Sequence, residues 1–286
     1  MYYLIVLSAV AMFGGCFALN DAYRKLRSSS MASSMESSFV GSLAGLFVLL
    51  IISGFGFEAT PFTLAIAFFM ALNDMAFTYC SFRALDSANL SMYSLFSMLG
   101  GMTLPFFQGI LFYGERITVS KVVCFVFVCI ALMLTVSRDE SKKGTGYYIA
   151  VFILNGMAGV FSKIFTDAPY AKTSAEWFSV WIAAFTIVLS GALWLFFSRK
   201  EKIQRYSWKA FSVSALNGAL NRVANFLLVI ALVYLDASVQ YPLITGGVII
   251  VSTLISFFSD AKPSKKEIGA VAMAFLGTLS LFLIRC

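Results

Sequence analysis

Residues 61–82, PFTLAIAFFMALNDMAFTYCSF, form one apolar run interrupted near its middle by a single carboxylate, Asp74. A helix needs about 20 mostly apolar residues to cross a hydrocarbon core ~30 Å thick. A charge at that depth costs at least about 2.5 kcal/mol, so a side chain there usually pairs, faces water or performs a task. Reading outward finds nine more runs of this kind, at residues 2–21, 37–56, 88–112, 119–137, 146–166, 174–197, 209–234, 237–258 and 266–284. Lys163 falls in the sixth and Arg222 near the middle of the eighth. The expected fold is an all-α integral membrane protein with ten transmembrane helices and a polar cavity inside it.

Composition agrees. The 286 residues are 60% hydrophobic and only 12% charged, about half the charge that a soluble domain carries. Residues 1–20 are apolar with no basic stretch ahead of them, and read as a first span rather than a cleaved signal. The five cysteines sit in or at the end of apolar runs without metal or redox spacing, and suit packing. There is no histidine, which excludes a His metal site, a His-dependent triad and a His proton relay. No catalytic residue, metal or cofactor is expected. The net charge of +7 is spread over short loops, so it bears on membrane orientation and not on nucleic acid.

The two halves echo each other. Gly15-Cys16-Phe17 matches Gly159-Val160-Phe161, and Ala71-Leu72-Asn73 matches Ala215-Leu216-Asn217, both at an offset of 144. Gly100-Gly101 matches Gly246-Gly247 at 146, and Leu85-Asp86 matches Leu235-Asp236 at 150. A common order and spacing predict duplication, with one five-helix repeat in residues 1–140 and another in 141–286. An odd number of spans per copy forces opposite insertion, the inverted-repeat plan of secondary transporters with a site near the midplane.

Of the 21 Lys and Arg, fifteen fall in loops one, three, five, seven and nine, and four in the even loops and termini. The positive-inside rule then places the odd loops in the cytoplasm and both termini outside. The plasma membrane is the expected location.

Two motifs carry a resemblance over the whole length. Leu104-Pro105 is followed by Phe112-Tyr113-Gly114-Glu115-Arg116-Ile117, and Tyr241-Pro242 by Gly246-Gly247. The chain resembles the drug/metabolite transporter superfamily, specifically its EamA-type ten-span members. The first motif looks like that family's GER turn between helices four and five, the second like its YP…GG ninth helix. The resemblance implies transport by alternating access, with a cavity lined by spans one, three, four, six, eight and nine. It implies cytoplasmic termini, opposite to the charge bias. The second turn departs from the pattern: Asp260-Ala261-Lys262 aligns with Gly114-Glu115-Arg116. Glu115 is therefore read as a structural helix-end residue.

Asp74 is the only one of 14 acids near the middle of a span. It is read as binding a cationic group or carrying a coupling proton. At an offset of 148, Asn73-Asp74 matches Asn221-Arg222, so inverted symmetry would set the two charges facing each other. They could grip each other when empty and the ends of a zwitterion when loaded, since Arg suits bidentate carboxylate binding. Asn217, Asn221 and Asn225 recur every four residues and share one helix face; they are read as lining the cavity, against the plainer reading of helix-to-helix glue. Lys163 lies near a span end; it is a candidate for substrate contact, against the plainer reading that its chain snorkels to the interface. Tyr79, Tyr93, Gln240 and Tyr241 are candidates to ring the cavity, against ordinary packing. Asn20 and Asn155 are further polar interruptions. Gly41-x-x-x-Gly45 permits close helix approach, within the chain or in a homodimer, with internal packing the expected use.

The expectation is a carrier of a small polar or zwitterionic, amino-acid-like metabolite, with the proton a candidate coupling ion. Efflux of cationic drugs or quaternary amines is the nearest alternative. A membrane-embedded enzyme and a non-transporting receptor are rivals of other classes. The enzyme reading lacks a nucleophile–base pair, and ATP drive lacks a nucleotide motif.

Overall fold

A computed structural model describes residues 2–27, 30–87, 90–135, 145–200, 207–257 and 265–283. Among the described residues there are ten helices, in chain order: α1 (Tyr2–Leu26), α2 (Met31–Ile52), α3 (Pro61–Ser87), α4 (Leu90–Phe112) and α5 (Val119–Thr135). Then come α6 (Thr145–Asp167), α7 (Ala175–Ser198), α8 (Trp208–Leu232), α9 (Ala237–Phe257) and α10 (Lys265–Leu283). No strand occurs among the described residues. Seven helices, α1, α2, α3, α6, α7, α8 and α9, are long and apolar enough to cross a membrane. The apolar parts of α4, α5 and α10 are shorter, at Phe96–Phe112, Val119–Leu134 and Ile268–Leu283. This suits a multi-pass membrane protein. The basic loop residues 136–144 and 201–206, the Asp260-Ala261-Lys262 turn and the side chain of Tyr93 lie outside the described residues.

Helices α1 and α3 run on to Leu26 and Ser87, past the expected 21 and 82, and both ends of α2 move. Helix α2 starts at Met31 rather than 37 and stops at Ile52 rather than 56. The sequence between residues 28 and 38 is rich in serine, which reads as a loop because Ser competes for backbone hydrogen bonds. Here Ser30 instead caps the helix, accepting the Ser33 N–H at 3.1 Å, and Ser33 and Ser34 are buried in it. At the other end Gly54 and Phe55 adopt φ of 64° and 55°, the left-handed turn that ends a helix.

The first five helices pack chiefly on the last five: α1 on α8 and α9, α2 on α7 and α8, α3 on α6 and α7, α4 on α6, and α5 on α10. Without a hydrophobic drive between helices in lipid, close approach depends on small residues. The Gly41–Gly45 face is filled by α8, the internal packing expected of it. A Cβ on Gly218 would lie 2.1 Å from the Gly41 Cα, and one on Gly45 would lie 2.5 Å from the Arg222 Cγ. Replacing Gly218 with Val should therefore lower stability by about 1–3 kcal/mol or more, because the α2 and α8 backbones must part. The check is the thermal midpoint in detergent. Gly146→Ala, where a Cβ would meet nothing within 4 Å, should leave that midpoint unchanged or slightly raised.

Candidate functional site

Asp74 and Arg222 sit halfway along α3 and α8. These two helices do not pack along their lengths, yet the side chains reach across the gap, with Arg222 Nη1 3.6 Å from Asp74 Oδ2. Arg222 is placed by its surroundings: its stem lies over the missing side chain of Gly45, and Nη2 donates to Ser42 Oγ at 3.1 Å. Neither charge is sealed, the side chains being 31% (Asp74) and 14% (Arg222) exposed. A separation of 3.6 Å is an ion pair without a direct hydrogen bond. The carboxylate thus keeps acceptor capacity and the guanidinium keeps donors for a third party.

The neighbouring amides divide. Asn73 is buried and donates to the Leu154 carbonyl at 2.9 Å, tying α3 to α6. Asn155 does the same between α6 and α4, donating to the Ser97 carbonyl at 2.7 Å. Asn225 donates to the Asn221 carbonyl at 2.8 Å and to its side-chain oxygen at 3.0 Å, so these two interact along their own helix. Asn217 donates to Asn20 Oδ1 at 2.8 Å, joining α8 to α1. The shared face of α8 exists, but much of its hydrogen bonding is already committed.

Three candidates have other work. Gln240 is fully buried and donates to the Leu228 carbonyl at 3.0 Å, so it does not ring a cavity. Tyr241 donates to the Gly159 carbonyl at 3.2 Å, holding α9 on α6. Tyr79 is exposed, with the Arg83 guanidinium 5.7 Å from its ring centroid.

Lys163 is the clearest correction. It does not snorkel outward. Its side chain is 7% exposed, and Nζ lies 3.2 Å from Glu115 Oε1 and 2.9 Å from Asp167 Oδ2. Burial of an ammonium is tolerable when carboxylates surround it. Glu115 caps the start of α9, accepting the N–H groups of Ala237 at 2.8 Å and Ser238 at 2.9 Å as well as the Ser238 hydroxyl. Nearby, Lys121 Nζ lies 2.6 Å from Asp236 Oδ2. Burial and the Asp167 carboxylate push the Tyr113 phenol above its ordinary value. A recess of about 500 Å3 opens on this group. Sequence reading missed the assembly, although Gly114-Glu115-Arg116 marked its turn.

No family model matches the chain, and no curated protein matches it. A protein of known crystal structure is similar over 99% of this chain and 96% of its own, with a TM-score of 0.76 at 16% identity. At that identity the likeness shows a shared fold and says nothing of activity.

Proposed function

We propose that the chain is a ten-span secondary transporter of the EamA-type drug/metabolite class, carrying a small zwitterionic, amino-acid-like metabolite by alternating access. The observation that carries this reading is the Asp74–Arg222 pair. It is a loose, partly exposed pair of opposite charges midway along two helices that do not otherwise pack. A zwitterion presents a cation to Asp74 and a carboxylate to Arg222, and replaces their mutual contact with two charge-assisted ones. Asp74 is also the group best placed to carry a coupling proton.

The packing supports two inverted repeats. Advancing each helix number by five, with α10 returning to α5, turns the α1–α8 contact into α6–α3 and the α2–α8 contact into α7–α3. It likewise turns α1–α9 into α6–α4, all of them observed neighbours. At finer grain, a Cβ on Gly101 would meet Asn155 of α6, and one on Gly247 would meet Val10 of α1. Gly101 and Gly247 are 146 residues apart, and Val10 and Asn155 are 145 apart. The fifteen-to-four distribution of basic residues favours cytoplasmic odd loops in the plasma membrane.

A thermal-shift screen of purified protein against zwitterionic, cationic and anionic metabolites tests the reading. A ligand at 100 times its Kd stabilises by about 2.7 kcal/mol. Stabilisation by zwitterions that disappears in Asp74→Asn is the expected result. Stabilisation by cations alone would favour the drug-efflux alternative, and zwitterion stabilisation unchanged in Asp74→Asn would remove the pair from the site.

A further inference from the structure

We propose that Glu115 is the latch of a gate at the end of the bundle bearing the α4–α5 turn, and that its release moves the molecule between access states. This rests on the alternating-access reading. Glu115 belongs to the first half of the chain, yet the polar partners of its carboxylate lie in the second: the first two amides of α9, the Ser238 hydroxyl, and Lys163 of α6. One carboxylate therefore ties the α4–α5 turn to α6 and α9 together. A helix N-terminus carries partial positive charge, so α9 and Lys163 attract it in concert.

The socket is built for this side chain. Gly114 turns the chain with φ of 65°. A Cβ on Gly109 would stand 2.5 Å from the carboxylate, so only glycine leaves room for it there. Glu115 is 4% exposed, but the recess of about 500 Å3 beside it is lined by Arg116, Lys121, Asp167 and Asp236. On leaving, the carboxylate enters a polar space rather than hydrocarbon, which makes the contact reversible. Lys163 keeps Asp167 as a partner when this happens. The repeat-related turn has Ala261 where Glu115 stands. Its methyl group accepts no hydrogen bond, so the carboxylate belongs to one repeat alone.

The test uses the full chain in lipid nanodiscs with the native cysteines replaced. One reporter is Ser162→Cys, buried on α6 one residue before Lys163. The other is Ser214→Cys, buried where α8 meets α2 at the opposite end. Alkylation by a water-soluble maleimide is timed for each. Glu115→Ala should speed labelling at 162 by roughly tenfold and slow it at 214, the reciprocal change that a two-state shift demands. Glu115→Gln, which keeps size and an acceptor but loses charge, should fall between and covers the case where alanine folds poorly. Unchanged labelling at 162 overturns the latch. So does faster labelling at 162 with none of the slowing at 214, which is local loosening. No substrate enters this assay, so its failure leaves the zwitterion site standing. Reciprocal labelling without any solute binding would overturn the substrate reading and leave the latch.

Discussion

Glu36→Ala should destabilise the protein by about 3–5 kcal/mol, the cost of removing one partner from a buried ion pair. Arg27, just past α1, and Glu36, in the second turn of α2, are bonded to each other with side chains 2% and 4% exposed. The alanine leaves a buried guanidinium without its carboxylate. Replacing both residues together, Arg27→Met with Glu36→Leu, should recover most of the loss, because apolar groups of similar volume need no charge compensation. Denaturation of the single and double variants in detergent is the check. A double variant as unstable as the single would show that the pair does more than neutralise itself.

The second large effect is on binding. Asp74→Ala and Arg222→Ala should each weaken a zwitterion by about 10- to 100-fold, since a hydrogen bond to a charged group contributes about 1.5–3 kcal/mol. Arg222→Lys should not rescue. The seat formed by Gly45 and Ser42 holds a planar guanidinium aimed at Asp74, and an ammonium offers no bidentate fork. Anionic analogues lacking the amine should lose little further affinity in Asp74→Ala, whereas zwitterions should lose most of theirs. Isothermal titration across the three variants reads this directly. Equal losses for both ligand types would mean that Asp74 acts only by holding Arg222.

What the sequence made legible follows from cost. A charge inside an apolar run is conspicuous, so Asp74 and Arg222 stood out, and their side chains lie 3.6 Å apart. The all-helical, apolar character of the chain was legible from run length for the same reason. The start of α2 was not, because serine is read as a loop former until its hydroxyls are seen bonded to α8, as Ser37 is to Ser214 at 3.0 Å. Lys163 was misread because a long side chain near a helix end has two outcomes, snorkelling or pairing. The choice depends on a carboxylate that is remote in sequence. Glu115 was undervalued for a related reason: its partners at Ala237 and Ser238 lie 122 and 123 residues away, a distance no local motif encodes. Gln240 and Tyr241, polar groups on an apolar helix, went to fixed carbonyls on α8 and α6, the common fate of such residues.

The most direct test is solute flux into proteoliposomes, comparing zwitterionic metabolites with cations and anions of similar size. The account predicts saturable flux of a zwitterion that is lost in Asp74→Ala and in Arg222→Ala, with little flux of either singly charged class. Flux no greater than in protein-free vesicles for every zwitterion, or zwitterion flux that survives both substitutions, would contradict it.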